Sequence, residues 1–207
     1  MNSDRQKVQP GRSQMSIPED TPNPPTILHA LNYAADELPD RTALICEDKS
    51  VSFAQYRRAA AGLGETLAAI CSPGDRVALI MANSIEMAFA VMGSYAARLQ
   101  VAPMNPALTD RELVPLLEDV APSVILCSPQ FLERSETLIK ELGDTKVISI
   151  GEGSVDPWQW VEDRSFKLPS QLPEPEERCS MFFTGGTTGL PKGAEHIHSG
   201  NIAFCRK

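Results

Sequence analysis

Residues 181–193 read Met-Phe-Phe-Thr-Gly-Gly-Thr-Thr-Gly-Leu-Pro-Lys-Gly, the densest set of groups in this 207-residue chain that suit one ligand. Gly185, Gly186 and Gly189 permit positive φ and a close approach of backbone to a bound molecule. Successive backbone N–H groups in such a loop form a concave anion site. Thr184, Thr187 and Thr188 add hydroxyl donors, and Lys192 adds a mobile cation. Together they suit a polyphosphate. Three other readings are weaker. A Walker-type loop needs Gly-Lys followed by Ser or Thr, whereas Lys192 stands between Pro191 and Gly193. A dinucleotide fingerprint needs a helix start after its glycines, whereas a strand pattern follows here. A plain turn between strands has no use for the Pro191-Lys192-Gly193 ending.

Other reactive residue types are scattered. His196 and His198 would share one face of a strand, but no third ligand accompanies them, so no metal site is predicted. Cys46, Cys71, Cys127, Cys179 and Cys205 stand singly, without a C-x-x-C, and read as reduced thiols. Cys179 has no identifiable base beside it. Arg57 and Arg58 read as a solvated helix face, and Glu174, Glu176 and Glu177 as a solvated linker. A net charge of −8 disfavours a nucleic-acid or anionic-membrane partner. There is no transmembrane-length apolar run and no signal-peptide core, so a cytoplasmic location is expected.

The elements that must position the glycine stretch follow from periodicity and caps. Residues 1–25 are polar and proline-rich and read as a disordered or loosely attached arm, ahead of one partial domain over 26–207. Ile27, Leu31, Ala34, Ala35 and Leu38 recur at helical spacing up to Pro39. A strand over 42–46 and a return strand over 51–53 follow. Ser52 with Gln55 forms a capping box before a stripe of Phe53, Tyr56, Ala60, Leu63, Leu67 and Ile70. Residues 76–81 are a continuous apolar run, as in a strand covered on both faces. Asn83 with Glu86 caps a helix to about Ala97, a short strand spans 101–104, and Thr109 with Glu112 opens a helix that ends before Pro122. Strands over 123–127 and 146–150 flank a helix over 129–142. This alternation predicts an α/β fold with a mainly parallel sheet and helices on both faces. Residues 151–178 read as a proline-rich connecting loop, partly pinned by Trp158 and Trp160. Residues 179–207 then form a strand pair around the glycine stretch, with a helix from Ser199.

The string over 184–193 resembles the phosphate loop of the AMP-forming adenylating enzymes, the superfamily of acyl-CoA synthetases, luciferases and peptide-synthetase adenylation domains. It meets every position of T-[S/G]-G-[S/T]-T-G-x-P-K-G. Gly74-Asp75-Arg76-Val77-Ala78-Leu79 with Asn83-Ser84, and Pro103-Met104-Asn105-Pro106 with Leu108-Thr109 and Glu112-Leu113, resemble two earlier segments of that family. The resemblance implies part of the N-terminal lobe of an ATP-dependent carboxylic acid:CoA ligase. Such an enzyme joins a carboxylate to the α-phosphate of ATP, releases pyrophosphate, and passes the acyl group to a thiol. It implies ATP, Mg²⁺ held by a ligand outside this chain, and coenzyme A as co-substrate. Thr184, Gly185, Gly186, Thr187, Thr188, Gly189 and Lys192 would bind the phosphates, and Lys192 would act catalytically on the departing pyrophosphate. The implied partners are a small carboxylic acid, and a separate chain that supplies the rest of the site. The family's adenine, ribose, metal and acid-pocket motifs lie downstream of this loop. The alternative is therefore a non-catalytic remnant or interaction protein that keeps the phosphate loop alone.

Two departures from the family pattern stand out. Leu99-Gln100 stand where the family has Ala-Gly, a change worth about 1 kcal/mol if φ there is positive. His198 and Asn201 are separated by two residues, where the family has one.

Overall fold

In the computed structural model, which describes residues 23–152, 154–184 and 192–205, helix starts where the apolar spacing does. Thr26 caps α1 (Ile27–Glu37) by accepting a hydrogen bond from the His29 N–H. An antiparallel pair follows, β1 (Thr42–Cys46) and β2 (Lys49–Ser52). Both halves of the expected capping box form at α2 (Phe53–Ala68): Ser52 Oγ accepts from the Gln55 N–H, and Gln55 Oε1 accepts from the Ser52 N–H.

The apolar run 76–81 becomes β3 (Arg76–Ile80), central in the main sheet. The next helix, α3 (Ile85–Ala96), is capped by Ser84 through the Met87 N–H, not by Asn83. A serine hydroxyl one residue closer to the first turn wins the cap. Then come β4 (Gln100–Pro103), α4 (Asp110–Val120), β5 (Val124–Cys127), α5 (Leu132–Leu138) and β6 (Lys146–Ser149). At α4 the Glu112 carboxylate accepts from the Thr109 N–H at 2.8 Å and its hydroxyl at 2.7 Å. The helix expected over 129–142 is shorter: 3₁₀ turns at Pro129–Phe131 and Ile139–Glu141 bracket α5.

The main sheet runs β6-β5-β3-β4-β7-β8, with β7 (Arg178–Thr184) and β8 (Lys192–Ile197) forming an antiparallel hairpin at one edge. The other neighbours are parallel. Alternate strand residues face opposite ways, which fixes two cores. Val77, Leu79, Val101, Val124 and Leu126 pack with Leu63 and Leu67 of α2 and Ala90 and Tyr95 of α3. Ala78, Ile80, Ala102, Ile125 and Cys127 pack with Leu113, Leu116, Leu117 and Val120 of α4 and Leu138 of α5. Helices thus cover both faces, as the alternation predicts. Each fully buried Leu or Ile contributes about 2 kcal/mol.

The described residues of the segment after β6 are mostly turns and irregular chain around one short helix. That helix is α6 (Trp158–Val161), and Trp160 is buried in the α2/α3 core. A Cβ on Gly62 would lie 2.4 Å from the Trp160 ring, so α2 is notched to receive the indole. The last helix, α7 (His198–Cys205), begins at His198, one residue before the expected start. The arm expected over 1–25 lies, up to residue 22, outside the described residues.

Candidate functional site

The hairpin positions the sequence-predicted site. Strand β7 leaves the sheet interior, with Cys179, Ser180 and Met181 buried, and runs outward to Phe182, which is exposed. Thr184, its last residue, lies opposite Lys192, the first residue of β8. The glycine stretch is therefore bounded by Thr184 and Lys192 as facing residues of one antiparallel ladder. Gly185, Gly186, Thr187, Thr188 and Gly189 lie outside the described residues. Lys192 itself is exposed. Next to it, a Cβ on Gly193 would sit 2.9 Å from Met181 Sδ, so glycine there lets Met181 lie across β8.

The base of the hairpin is a buried polar cluster that sequence reasoning missed. The Tyr95 hydroxyl and Ser180 Oγ lie 2.8 Å apart, and Gln100 Nε2 donates to the Ser180 carbonyl at 3.3 Å. Asn201 Nδ2 donates to Cys179 Sγ at 3.1 Å. Burial pushes the Tyr95 phenol up to about 12, so it stays a neutral hydroxyl. Burial also raises the Cys179 thiol, which removes it as a nucleophile near neutral pH. His198 is buried with its ring edge-on to Tyr95, and its Nδ1 has no partner. Burial drives its pKa down to about 4, against the pull of Glu177 and with a small push from His29. His196 stays on β8, edge-on to Phe182, so the two histidines do not share a strand face. Among the described residues no three His, Cys, Asp or Glu side chains are grouped to hold a metal ion. The pairing of polar types at 95, 100 and 180 has no short-range sequence signal, because the three come together only where α3 and β4 pack against β7.

Two readings of charged residues change. Arg57 is not a solvated face: its guanidinium binds the Asn32 side chain at 3.0 Å and Asp36 at 2.5 Å. Arg58 Nε donates to the Val161 carbonyl at 2.6 Å. Glu177 is no solvated linker either, since it takes both arms of Arg98, at 3.1 and 2.6 Å. The left-handed residue near the Leu99-Gln100 departure is Arg98, φ 58°, while Gln100 lies in β4. Gln100 therefore does not carry the cost that a positive φ would bring.

Strand order reverses between β3 and β5, and ligands of open α/β sheets favour the crevice at such a point. A cavity of about 450 Å³ lies there, lined by Ala82, Ser84, Glu86, Ser128 and Gly151 among others. Its anion-attracting helix end is already occupied. The Glu86 carboxylate sits at the start of α3 and accepts from Trp158 Nε1 at 2.7 Å. Burial would raise Glu86, but the Trp158 bond and the helix N–H hold it below the usual carboxylate range. A second hollow, about 840 Å³, is lined by residues of α1, α2 and the segment 164–172, none of them in the hairpin. Lys192, the described cation of the predicted site, lines neither cavity.

The fold agrees with what this chain resembles. A family model described as AMP-binding enzyme matches residues 31–207. The chain belongs to the AMP-binding enzyme family. It is 27% identical over 175 residues to the 2-succinylbenzoate–CoA ligase of Bacillus subtilis, covering 84% of this chain and 34% of that protein. It is also 27% identical over 180 residues to a medium/long-chain-fatty-acid–CoA/3-oxocholest-4-en-26-oate–CoA ligase of Mycobacterium marinum, covering 80% of this chain and 33% of the relative. The crystal structure of an anthranilate CoA ligase in complex with anthranoyl-AMP superposes with a TM-score of 0.74 at 24% identity, over 87% of this chain and 36% of that one. At that identity the likeness shows the fold. The chain spans about a third of the length of these relatives. No helix among the described residues is long and apolar enough to cross a membrane.

Proposed function

We propose that this chain supplies the phosphate-loop part of an ATP-dependent carboxylic acid:CoA ligase. The observation that carries this reading is the pairing of Thr184 with Lys192 across the mouth of the β7–β8 hairpin, in a chain of the AMP-binding family. A strand pair of this kind holds a cation and the ends of a glycine-rich stretch in one register. Thr184, Gly185, Gly186, Thr187, Thr188 and Gly189 would present N–H and hydroxyl donors to the phosphates of ATP. Lys192, exposed at the start of β8, would balance charge on the pyrophosphate as it leaves. Coenzyme A would accept the acyl group, and Mg²⁺ would accompany ATP. Residues 26–207 would act as one partial AMP-binding domain, in the cytoplasm, with a small carboxylic acid as substrate.

Calorimetric titration with pyrophosphate and with ATP tests it. Saturable binding is expected, weakened about tenfold in Lys192→Ala by loss of one charge-assisted contact. No binding, or binding indifferent to Lys192, would overturn it. A second reading is a phosphate binder without catalysis. Carboxylate-dependent ATP–pyrophosphate exchange separates the two: exchange by the chain alone removes the second reading.

A further inference from the structure

The β7–β8 hairpin joins the parallel part of the sheet through one backbone-paired position, Ser180 opposite Val101. Each parallel pair among β3, β4, β5 and β6 is registered over four residues. Backbone pairing between β4 and β7 is therefore narrower than between the other parallel strands. Two side chains converge on that same residue. The Tyr95 hydroxyl from α3 meets Ser180 Oγ at 2.8 Å, and the Gln100 amide from β4 meets the Ser180 carbonyl at 3.3 Å. Tyr95 and Gln100 are 3% exposed and Ser180 is 1% exposed. Polar groups this deep cost stability unless they are satisfied, so their mutual pairing accounts for polar residues between two apolar cores. Gln100 stands out, because Val101 and Ala102 beside it on β4 are apolar.

We propose that Ser180 anchors the loop-bearing hairpin, and that Tyr95 and Gln100 are positioning residues. They set where the two stems, residues 181–184 and 192–197, stand relative to the parallel strands. Side-chain bonds here add to a backbone pairing that is narrower than in the other parallel pairs. The proposal deepens the reading of the hairpin as a phosphate loop, but the anchoring can be measured without any ligand.

Amide hydrogen exchange on the whole chain tests it. In Tyr95→Phe, Ser180→Ala and Gln100→Leu, amides of 181–184 and 192–197 should exchange roughly tenfold faster, while those of β3 and β5 keep their rates. The Tyr95→Phe/Ser180→Ala double variant should be no faster than the faster single variant, since each removes the same hydroxyl pair. Ser180→Thr, which keeps the hydroxyl, should exchange like the parent chain. Stems that keep their rates in Tyr95→Phe, or a uniform rise across the sheet, would overturn the anchor. Pyrophosphate titration of the same variants keeps the two ideas apart. A parent chain that binds no pyrophosphate removes the phosphate reading and leaves the exchange result to decide the anchor.

Discussion

At the scale of single residues, Arg98 shows how a left-handed position is filled without glycine. Helix α3 ends in a Schellman motif: the Leu99 N–H reaches the Ser94 carbonyl at 2.9 Å and the Arg98 N–H reaches Tyr95 at 3.0 Å. The motif needs a left-handed residue, and Arg98 takes φ 58° despite its Cβ. That conformation costs about 1 kcal/mol relative to glycine. The side chain offsets the cost by a two-armed bond to Glu177, which ties the end of α3 to the segment entering β7. The Arg98 bond in turn holds the Glu177 carboxyl below the usual range. Two substitutions separate the terms. Arg98→Ala loses the ion pair and keeps the strain, whereas Arg98→Gly loses the pair and sheds the strain. In urea unfolding, Arg98→Gly should therefore be more stable than Arg98→Ala by about 1 kcal/mol. The reverse ranking would show that the backbone at 98 is unstrained.

Among the elements, α7 is the one whose seat depends on a titrating group. Its first residue, His198, is buried against Tyr95, and its backbone N–H bonds to the Glu177 carbonyl at 3.1 Å. The charged groups that act on its ring are Glu177, which favours the proton, and His29 of α1, which opposes it. Burial outweighs both and holds the folded-state pKa at about 4, against an ordinary 6.5. The unfolded chain thus takes up a proton before the folded chain does. Stability is unaffected by His198 above about pH 6.5 and falls as pH drops toward 4, by at most about 1.4 kcal/mol per unit. Urea midpoints measured from pH 7.5 to 4.5 should show this decline, and His198→Gln should flatten it. An equal decline in that variant would place the acid sensitivity elsewhere. The departure in spacing between His198 and Asn201 fits this seat: both lie on α7, and Asn201 reaches back to Cys179.

For the whole molecule, the sequence made the central layers legible and left the edges less so. Runs such as Arg76–Ile80 and Val124–Cys127 are apolar throughout because both faces are covered, and their caps mark where each helix begins. Trp160 was harder to read, because its burial depends on a notch at Gly62 nearly a hundred residues earlier. The Tyr95–Gln100–Ser180 cluster was illegible for the same reason, being a product of tertiary contact alone. The phosphate residues were read from motif spacing alone, and the structure adds the backbone register of Thr184 opposite Lys192. The edge that carries them differs from the rest of the sheet. Every residue of β8 is exposed, and among the described residues no strand pairs with its outer side. Phe182, Ile197 and Phe204, at 44%, 40% and 81% exposure, add apolar surface on the hairpin and α7. An open edge flanked by apolar side chains invites pairing with another chain. The isolated chain should therefore self-associate at tens of micromolar, seen as a rising sedimentation coefficient with concentration. Ile197→Lys puts a charge on that edge and should return the protein toward monomer without lowering its urea midpoint, since an exposed side chain contributes little to the fold. A monomer at all concentrations in the parent chain would show that the edge is protected in solution. Association that persists in Ile197→Lys together with Phe204→Ser would move the contact to another face.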